Sequence, residues 1–289
     1  MSQIHISAGA SSPKSNATPS ASTLAALSRI AAEEGGLAIG PGKEDFLAAR
    51  LQSHLLRLKL PDLGAYARHL DDTANAAERR RFIEAITTHT TSFFRETAQY
   101  DWLRESGVAN LLDRFGHRRP VEIWSAACSS GQELYSALMV LLGIAGPGES
   151  VDVVGRGTDL SGAILRRAEM GIYSRDEISG IPIELRRRFV LSARHDSDRF
   201  RMDPELRKRA HWSRANLSRP NSYSGIAADL IFLRNVLIYF DADVRNRVLI
   251  EVISRLRPGG YLLTGHSESI DARKYGLMVV KPSIYHKGE

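Results

Sequence analysis

From Pro120 onward the chain alternates between two hydrophobic periods, and that alternation leaves few folds open. Val121 to Ala127 is a short apolar run, Ser129-Ser130-Gly131 reads as a turn, and Gln132 to Leu142 has the spacing of a helix. Val151 to Gly155 is a second strand candidate and Ser161 to Met170 a second helix. Asp229 to Leu233 then reads as a buried strand, Asp243 to Leu256 as a helix, Pro258-Gly259-Gly260 as a turn and Tyr261 to Gly265 as a strand. Leu277 to Val280 and Ile284 to His286 close the chain as a hairpin. Strands joined by helices must be covered on both faces. The pattern therefore specifies an α/β fold, a doubly wound and mostly parallel Rossmann-like sheet with an antiparallel edge. The segment from about 173 to 216 breaks the rhythm and reads as an inserted subdomain.

Ahead of the sheet the period is helical. Residues 1–22 are small and polar, with too few large apolar groups to bury anything, and read as a disordered tail. Leu24, Leu27 and Ile30 share a stripe that Gly35-Gly36 stops. A second helix starting near Lys43 turns Phe46, Leu47, Leu51, Leu55 and Leu58 inward, and Arg50, His54 and Arg57 fall on its outer face. Pro61 ends it, and two further helices follow, from Leu63 to Leu70 and from Ala76 to Thr87. Residues 23–90 thus form a small all-helical domain. Residues 91–119 carry a linker and a connecting helix from Trp102 to Phe115, and residues 120–289 form the sheet domain.

The longest apolar stretch, Ala137 to Ala145, is too short to span a membrane, and the N-terminus lacks a charged-then-apolar signal pattern. A cytoplasmic protein without direct membrane insertion is expected. The single cysteine, Cys128, excludes an internal disulfide and a multi-cysteine metal site. The formal charge is +6, and between Arg156 and Arg214 fourteen Lys/Arg stand against nine Asp/Glu, a bias that suits an acidic partner.

In a doubly wound sheet a ligand sits at the carboxyl ends of the strands, against a small-residue turn after the first strand. Here that turn is Ala126-Ala127-Cys128-Ser129-Ser130-Gly131, and the second strand ends in Gly157-Thr158-Asp159. An acidic residue there can accept both hydroxyls of a ribose. No G-x-G-x-x-G and no triphosphate-binding G-x-x-x-x-G-K run is present, so a nucleoside without a pyrophosphate, such as S-adenosylmethionine, fits better than a dinucleotide. A purely structural turn, with Asp159 as a helix cap, stays open on spacing alone.

Four stretches together carry a resemblance: Thr90-Thr91-Ser92-Phe93-Phe94-Arg95-Glu96; the run from Trp124 to Ser136; Gly157-Thr158-Asp159-Leu160; and Arg234-Asn235-Val236-Leu237-Ile238-Tyr239-Phe240 with its sequel Gly265-His266-Ser267-Glu268-Ser269. In order and spacing the chain resembles the CheR-type chemotaxis receptor methyltransferases, from about residue 24 to 288. The resemblance implies a class I methyltransferase domain behind a small helical domain, S-adenosylmethionine as cofactor and S-adenosylhomocysteine as product. It puts Thr91 and Arg95 at the methionine end, Ala126 and Gln132 at the first turn, Asp159 on the ribose, Asn216 and Leu217 by the adenine, and Arg234 and Asn235 beside the methyl. Three positions depart from the family pattern. His89 stands where Asn is common, Gln132 where Glu is frequent, and Leu134 where Pro is frequent.

The implied reaction is methyl esterification of glutamates on the cytoplasmic helical domain of methyl-accepting chemotaxis receptors, by an enzyme expected to be monomeric. Glutamate with a pKa near ~4.3 is already an anion at neutral pH, so alignment rather than a general base is required. Arg95 can hold a carboxylate with its fork of donors and Tyr239 can orient one, although an ion pair and a half-buried sheet tyrosine are the plainer readings. Cys128 has no base beside it to make it a nucleophile, and His266 reads as a hydrogen-bonded structural histidine. Arg50, His54 and Arg57 form the candidate docking face for an acidic helical partner. The alternatives are a methyltransferase of nucleic acid or of a small molecule, or an inactive cofactor-binding scaffold. Amine methylation of bases commonly uses an Asn/Asp-Pro-Pro-aromatic turn, and Arg234-Asn235-Val236-Leu237 has no proline, so no nucleic-acid partner is expected.

Overall fold

The computed structural model of the chain describes residues 19–289 other than 41, 117–118, 145–150 and 194–195. Residues 1–18, most of the expected tail, lie outside the described residues. The chain divides into two compact units. One comprises residues up to 34 together with 39–86; the other comprises 35–38 and 87–289.

The first unit is all helical. Helices α1 (Ala21–Gly35), α2 (Glu44–Leu58), α3 (Leu63–Asp71) and α4 (Ala76–Ile86) each contribute apolar stripes. Leu27, Ile30, Leu47, Leu51, Tyr66, Leu70 and Phe82 are fully buried at its centre. Asp62 caps α3 by accepting the Ala65 amide, and Lys59 in the left-handed region ends α2 two residues before Pro61. The expected outer face of α2 needs correction. His54 turns inward, its Nδ1 2.8 Å from Oε1 of Glu78, and Arg57 bonds both oxygens of the same carboxylate. Glu78 is 5% exposed and also accepts from the Tyr66 hydroxyl. A buried charge must be paired, and that need draws both residues across the helix. Arg50 remains exposed, its guanidinium over the Phe46 ring.

The second unit is built on a seven-stranded sheet. In chain order it contains α5 (Thr97–Trp102), α6 (Val108–Leu111), β1 (Val121–Ala126), α7 (Gln132–Ile144), β2 (Val153–Asp159), α8 (Gly162–Met170), β3 (Ile172–Ser174), α9 (Arg175–Ile178), α10 (Ile183–Phe189), β4 (Val190–Ser192) and β5 (Arg199–Met202). α11 (Pro204–Arg209), β6 (Ala210–Arg214), β7 (Ala228–Leu233), α12 (Ala242–Ser254), β8 (Leu256–Thr264), β9 (Leu277–Lys281) and β10 (Ile284–Lys287) complete it. The strand order is β6-β2-β1-β7-β8-β10-β9, with the first five strands parallel and β10 antiparallel to both neighbours. This is the doubly wound sheet with an antiparallel edge. Period-two alternation sorts the core, Ile123, Leu230 and Phe232 packing on the α7 face and Trp124, Ile231 and Leu233 on the α12 face.

Three details differ from the sequence reading. The helix from Thr97 starts earlier than expected and runs to Gly116 through π-turns at Leu103–Gly107 and Leu112–Gly116. Pro258-Gly259-Gly260 lies inside β8, where the register with β7 shifts, and is not a turn. The small antiparallel sheet β3-β5-β4 does interrupt the rhythm, but β6 pairs in parallel with β2 and belongs to the main sheet.

Candidate functional site

The carboxyl ends of β1, β2 and β7 open into a cleft enclosing about 910 Å³ of atom-free space, its mouth included. The local backbone is strained there. Of the seven non-glycine residues with left-handed φ among the described residues, three line this cleft, Ala127 (65°), Ser129 (50°) and Asn235 (56°), and two more, Phe94 (54°) and Glu96 (61°), flank its lining residue Arg95. Each costs about 1 kcal/mol or more, so the surrounding packing must impose it, and such clustering marks functional sites. Small side chains let the turn after β1 approach closely. A Cβ at Gly157 would meet the Trp212 ring at 2.4 Å, and one at Gly131 would meet the same ring at 2.7 Å.

Asp159 ends β2 and is 7% exposed. Its Oδ2 accepts the Ser129 amide and its Oδ1 the Ser161 amide, both at 2.9 Å. Burial pushes its carboxyl up, while those amides and the nearby His89 oppose the shift. Two backbone bonds leave lone pairs for further donors. His89 offers its carbonyl to the Ser129 hydroxyl at 2.8 Å, and its Nε2 stands 3.2 Å from the Thr87 hydroxyl.

The opposite wall is ionic. Arg234 leaves the end of β7 with its side chain 1% exposed, 3.1 Å from Glu133 and 3.1 Å from Glu96, and donates to the carbonyl of Arg95. Burial works to lower its pKa, but the carboxylates of Glu133 and Glu96 and the Tyr100 hydroxyl prevail and raise it. Burial also pushes Glu133 up, against Arg234 and the 2.6 Å bond from the Ser125 hydroxyl. Cys128 lines the cleft with its thiol pushed well up by burial, which leaves it un-ionised and unsuited to nucleophilic attack. Arg95 is partly exposed, donates to the Thr90 carbonyl at 3.2 Å, and has no salt bridge among the described residues. Tyr239 sits in the turn after β7, with its hydroxyl bonded to that of Thr88 and its carbonyl accepting the Ala38 amide at 2.8 Å.

The cleft therefore brings together His89, Thr91, Arg95, Asp159, Asn216, Leu217, Arg234, Asn235 and Tyr239. Two expected residues do not line it. Ala126 is fully buried on the α12 face of the sheet, and its neighbour Ala127 takes the wall position. Gln132 points away, its oxygen accepting from the Ser130 hydroxyl and its amide 3.3 Å from Glu177. One residue on, about a 100° turn of α7, Glu133 faces the cleft. Sequence reasoning missed Glu133, although the pair Gln132-Glu133 at a helix start held the signal. It also missed Gly35 and Leu37, which line the cleft because Leu37 bridges to Phe240. His266 is exposed by 60% of its side chain, beside Glu96, rather than built into the structure.

Residues 89–285 match the family model described as the CheR methyltransferase SAM binding domain, and residues 22–87 match that of the CheR methyltransferase all-alpha domain. A chemotaxis protein methyltransferase from Vibrio anguillarum is 32% identical over 90% of this chain and 94% of its own length. Chemotaxis protein methyltransferase 2 from Pseudomonas aeruginosa is 31% identical over 86% and 87%. One from Borreliella burgdorferi is 31% identical over 91% and 93%.

Proposed function

The chain belongs to the CheR methyltransferase family, and on that premise we propose that it esterifies glutamate side chains of chemotaxis receptors with the methyl group of S-adenosylmethionine. The observation that carries the reading is one cleft holding two complementary ends. Asp159 has acceptor capacity for a diol, and Arg95 is a cation without a carboxylate partner among the described residues. A nucleoside with a charged amino-acid tail fits this lining. Asp159 accepts the ribose hydroxyls, Leu217 and Asn216 flank the base, Glu133 faces the ammonium, and Thr91 and His89 serve the methionine end. Asn235 and Arg234 stand beside the methyl, with Arg234 acting chiefly as the strut that fixes Glu133 and Glu96.

When bound, S-adenosylmethionine supplies a methyl whose bond to sulfur breaks as the carboxylate oxygen bonds to carbon, the electron pair staying on sulfur in S-adenosylhomocysteine. The protein needs no base, because the acceptor carboxylate is already ionised at neutral pH. Arg95 draws that carboxylate in and orients it, also reaching the methionine end of the cofactor, and the Tyr239 hydroxyl fixes its angle. The partner is the helical cytoplasmic domain of a methyl-accepting receptor, met by a cytoplasmic monomer. No helix among the described residues is long and apolar enough to cross a membrane. The exposed guanidinium of Arg50 and the partly exposed ones of Arg57 and Arg81 supply the basic face for that acidic partner.

Tritiated-methyl transfer to receptor cytoplasmic fragments tests the reading. Label released by mild base supports it, and base-stable label would refute ester formation. Arg95→Ala should lower transfer more than tenfold with the melting temperature unchanged, since only one bond to a backbone carbonyl is lost.

A further inference from the structure

Glu268 is 1% exposed, yet no cation pairs with it among the described residues. Its carboxylate is held by backbone alone. Oε2 accepts the amides of Asn235 and, at 3.1 Å, Gly265, and Oε1 accepts the amide of Ile238 at 3.2 Å. Gly265 is required for this approach, because a Cβ there would lie 2.6 Å from Oε2 and 2.8 Å from Nδ2 of Asn235. A buried charge satisfied only by amides is costly unless its bonds are charge-assisted and its geometry fixed. Two of the three donors belong to the turn after β7, which begins with the strained Asn235 and ends at Tyr239. The third, Gly265, directly follows the end of β8. One carboxylate thus ties the turn to the sheet, at the two amides that set its path.

We propose that Glu268 is a positioning residue for methyl transfer, pinning the 235–238 turn so that the Tyr239 hydroxyl stands where the acceptor carboxylate must be oriented. Other anchors hold the flanks of the turn. Ala38 bonds the Tyr239 carbonyl and Leu37 bridges to Phe240 on one side, and Arg234 is fixed by Glu96 and Glu133 on the other. Between them Leu237 is buried on the α12 face and Ile238 is 57% exposed, so packing holds one side chain of the middle and the carboxylate holds the backbone amides on either side of it. The inference rests on the reading of Tyr239 given above.

Glu268→Gln keeps the volume but has one acceptor oxygen instead of two, so its NH₂ must face either the Ile238 amide or those of Asn235 and Gly265, which loosens the turn. Expected are a turnover at least tenfold lower, a KM for the receptor fragment and an S-adenosylhomocysteine affinity each within threefold of wild type, and a folded protein at the assay temperature. Glu268→Asp, which keeps the charge, should recover part of the turnover and serves in its place if Glu268→Gln does not fold. Tyr239→Phe run alongside separates the two claims. If Glu268 acts through Tyr239, the double substitution should lose little more turnover than the worse single one. Losses that multiply, or a fall in cofactor affinity as large as the fall in turnover, would overturn the assignment of Glu268. Wild-type turnover in Tyr239→Phe would instead sink the reading of Tyr239 itself, whatever Glu268→Gln does.

Discussion

Replacing Glu78 by Gln should destabilise the helical unit and leave the sheet unit alone. Burial by itself would push this carboxyl up, but the bonds from His54, Arg57 and Tyr66 outweigh it and hold the pKa down to about 2. Against an ordinary value near ~4.3, that depression corresponds to about 3 kcal/mol at neutral pH. The guanidiniums of Arg57 and Arg81 are 43% and 58% exposed, so water screens their share and about 2 kcal/mol is the better expectation. Because the folded pKa is the lower one, this contribution is complete above the unfolded value and fades as pH falls through about 2. At pH ~3 roughly half of it is gone. Two signals separate the units within the intact chain, since Trp102, Trp124 and Trp212 all lie in the sheet unit. In urea titrations at pH 7, Glu78→Gln should move to lower urea the part of the far-ultraviolet dichroism change that tryptophan fluorescence does not follow, while the fluorescence keeps its midpoint. The gap from wild type should narrow at pH 3. An equal shift in both signals, or a gap that persists undiminished at pH 3, would refute the account of Glu78 as the buried keystone of its unit.

Asp159→Ala should weaken S-adenosylhomocysteine by about 1.5–3 kcal/mol in calorimetry, since it leaves bound hydroxyls and the amides of Ser129 and Ser161 without an acceptor; unchanged affinity would place the ribose elsewhere. For the docking face, Arg50→Glu is the clean reversal, because Arg57 also serves Glu78. It should raise the KM for receptor fragments at low salt, leave turnover and cofactor affinity alone, and lose its effect as salt rises. Wild-type kinetics at low ionic strength would exclude this face.

Strands β1, β2 and β7 were legible because each is an apolar run followed by a helical period, and both signals agree. Strand β6 was not, because Ala210-His211-Trp212-Ser213-Arg214 carries little apolar pattern and is recruited by the backbone of β2. Pro258-Gly259-Gly260 misled for the opposite reason. Its composition is that of a turn, yet Gly260 allows β8 to pass so close to β7 that a Cβ there would meet the Asp229 carbonyl at 2.6 Å. Within the site, Asp159 at the end of β2 and Arg234 just past β7 line the cleft as the sheet topology demands, whereas Ala126 at the end of β1 turns into the core. Gln132 and Glu133 show the limit. Spacing places the pair at a helix start, but which one faces the cleft depends on a rotation that only packing fixes. His54 failed similarly, as periodicity put it outside while the buried charge of Glu78, invisible one helix at a time, pulled it in.

The stretch 35–38 threads the sheet unit before the chain returns to finish the helical one. The two units are thus not separable by a single cut. A protein begun at residue 87 would keep Asp159, Glu133 and Tyr239 but lack two cleft residues, Gly35 and Leu37, and the amide that Ala38 offers to Tyr239. Recombining this methyltransferase with the helical unit of a relative therefore exchanges part of the cleft lining along with it. A swap at that boundary would change the lining of the cleft even where both halves fold.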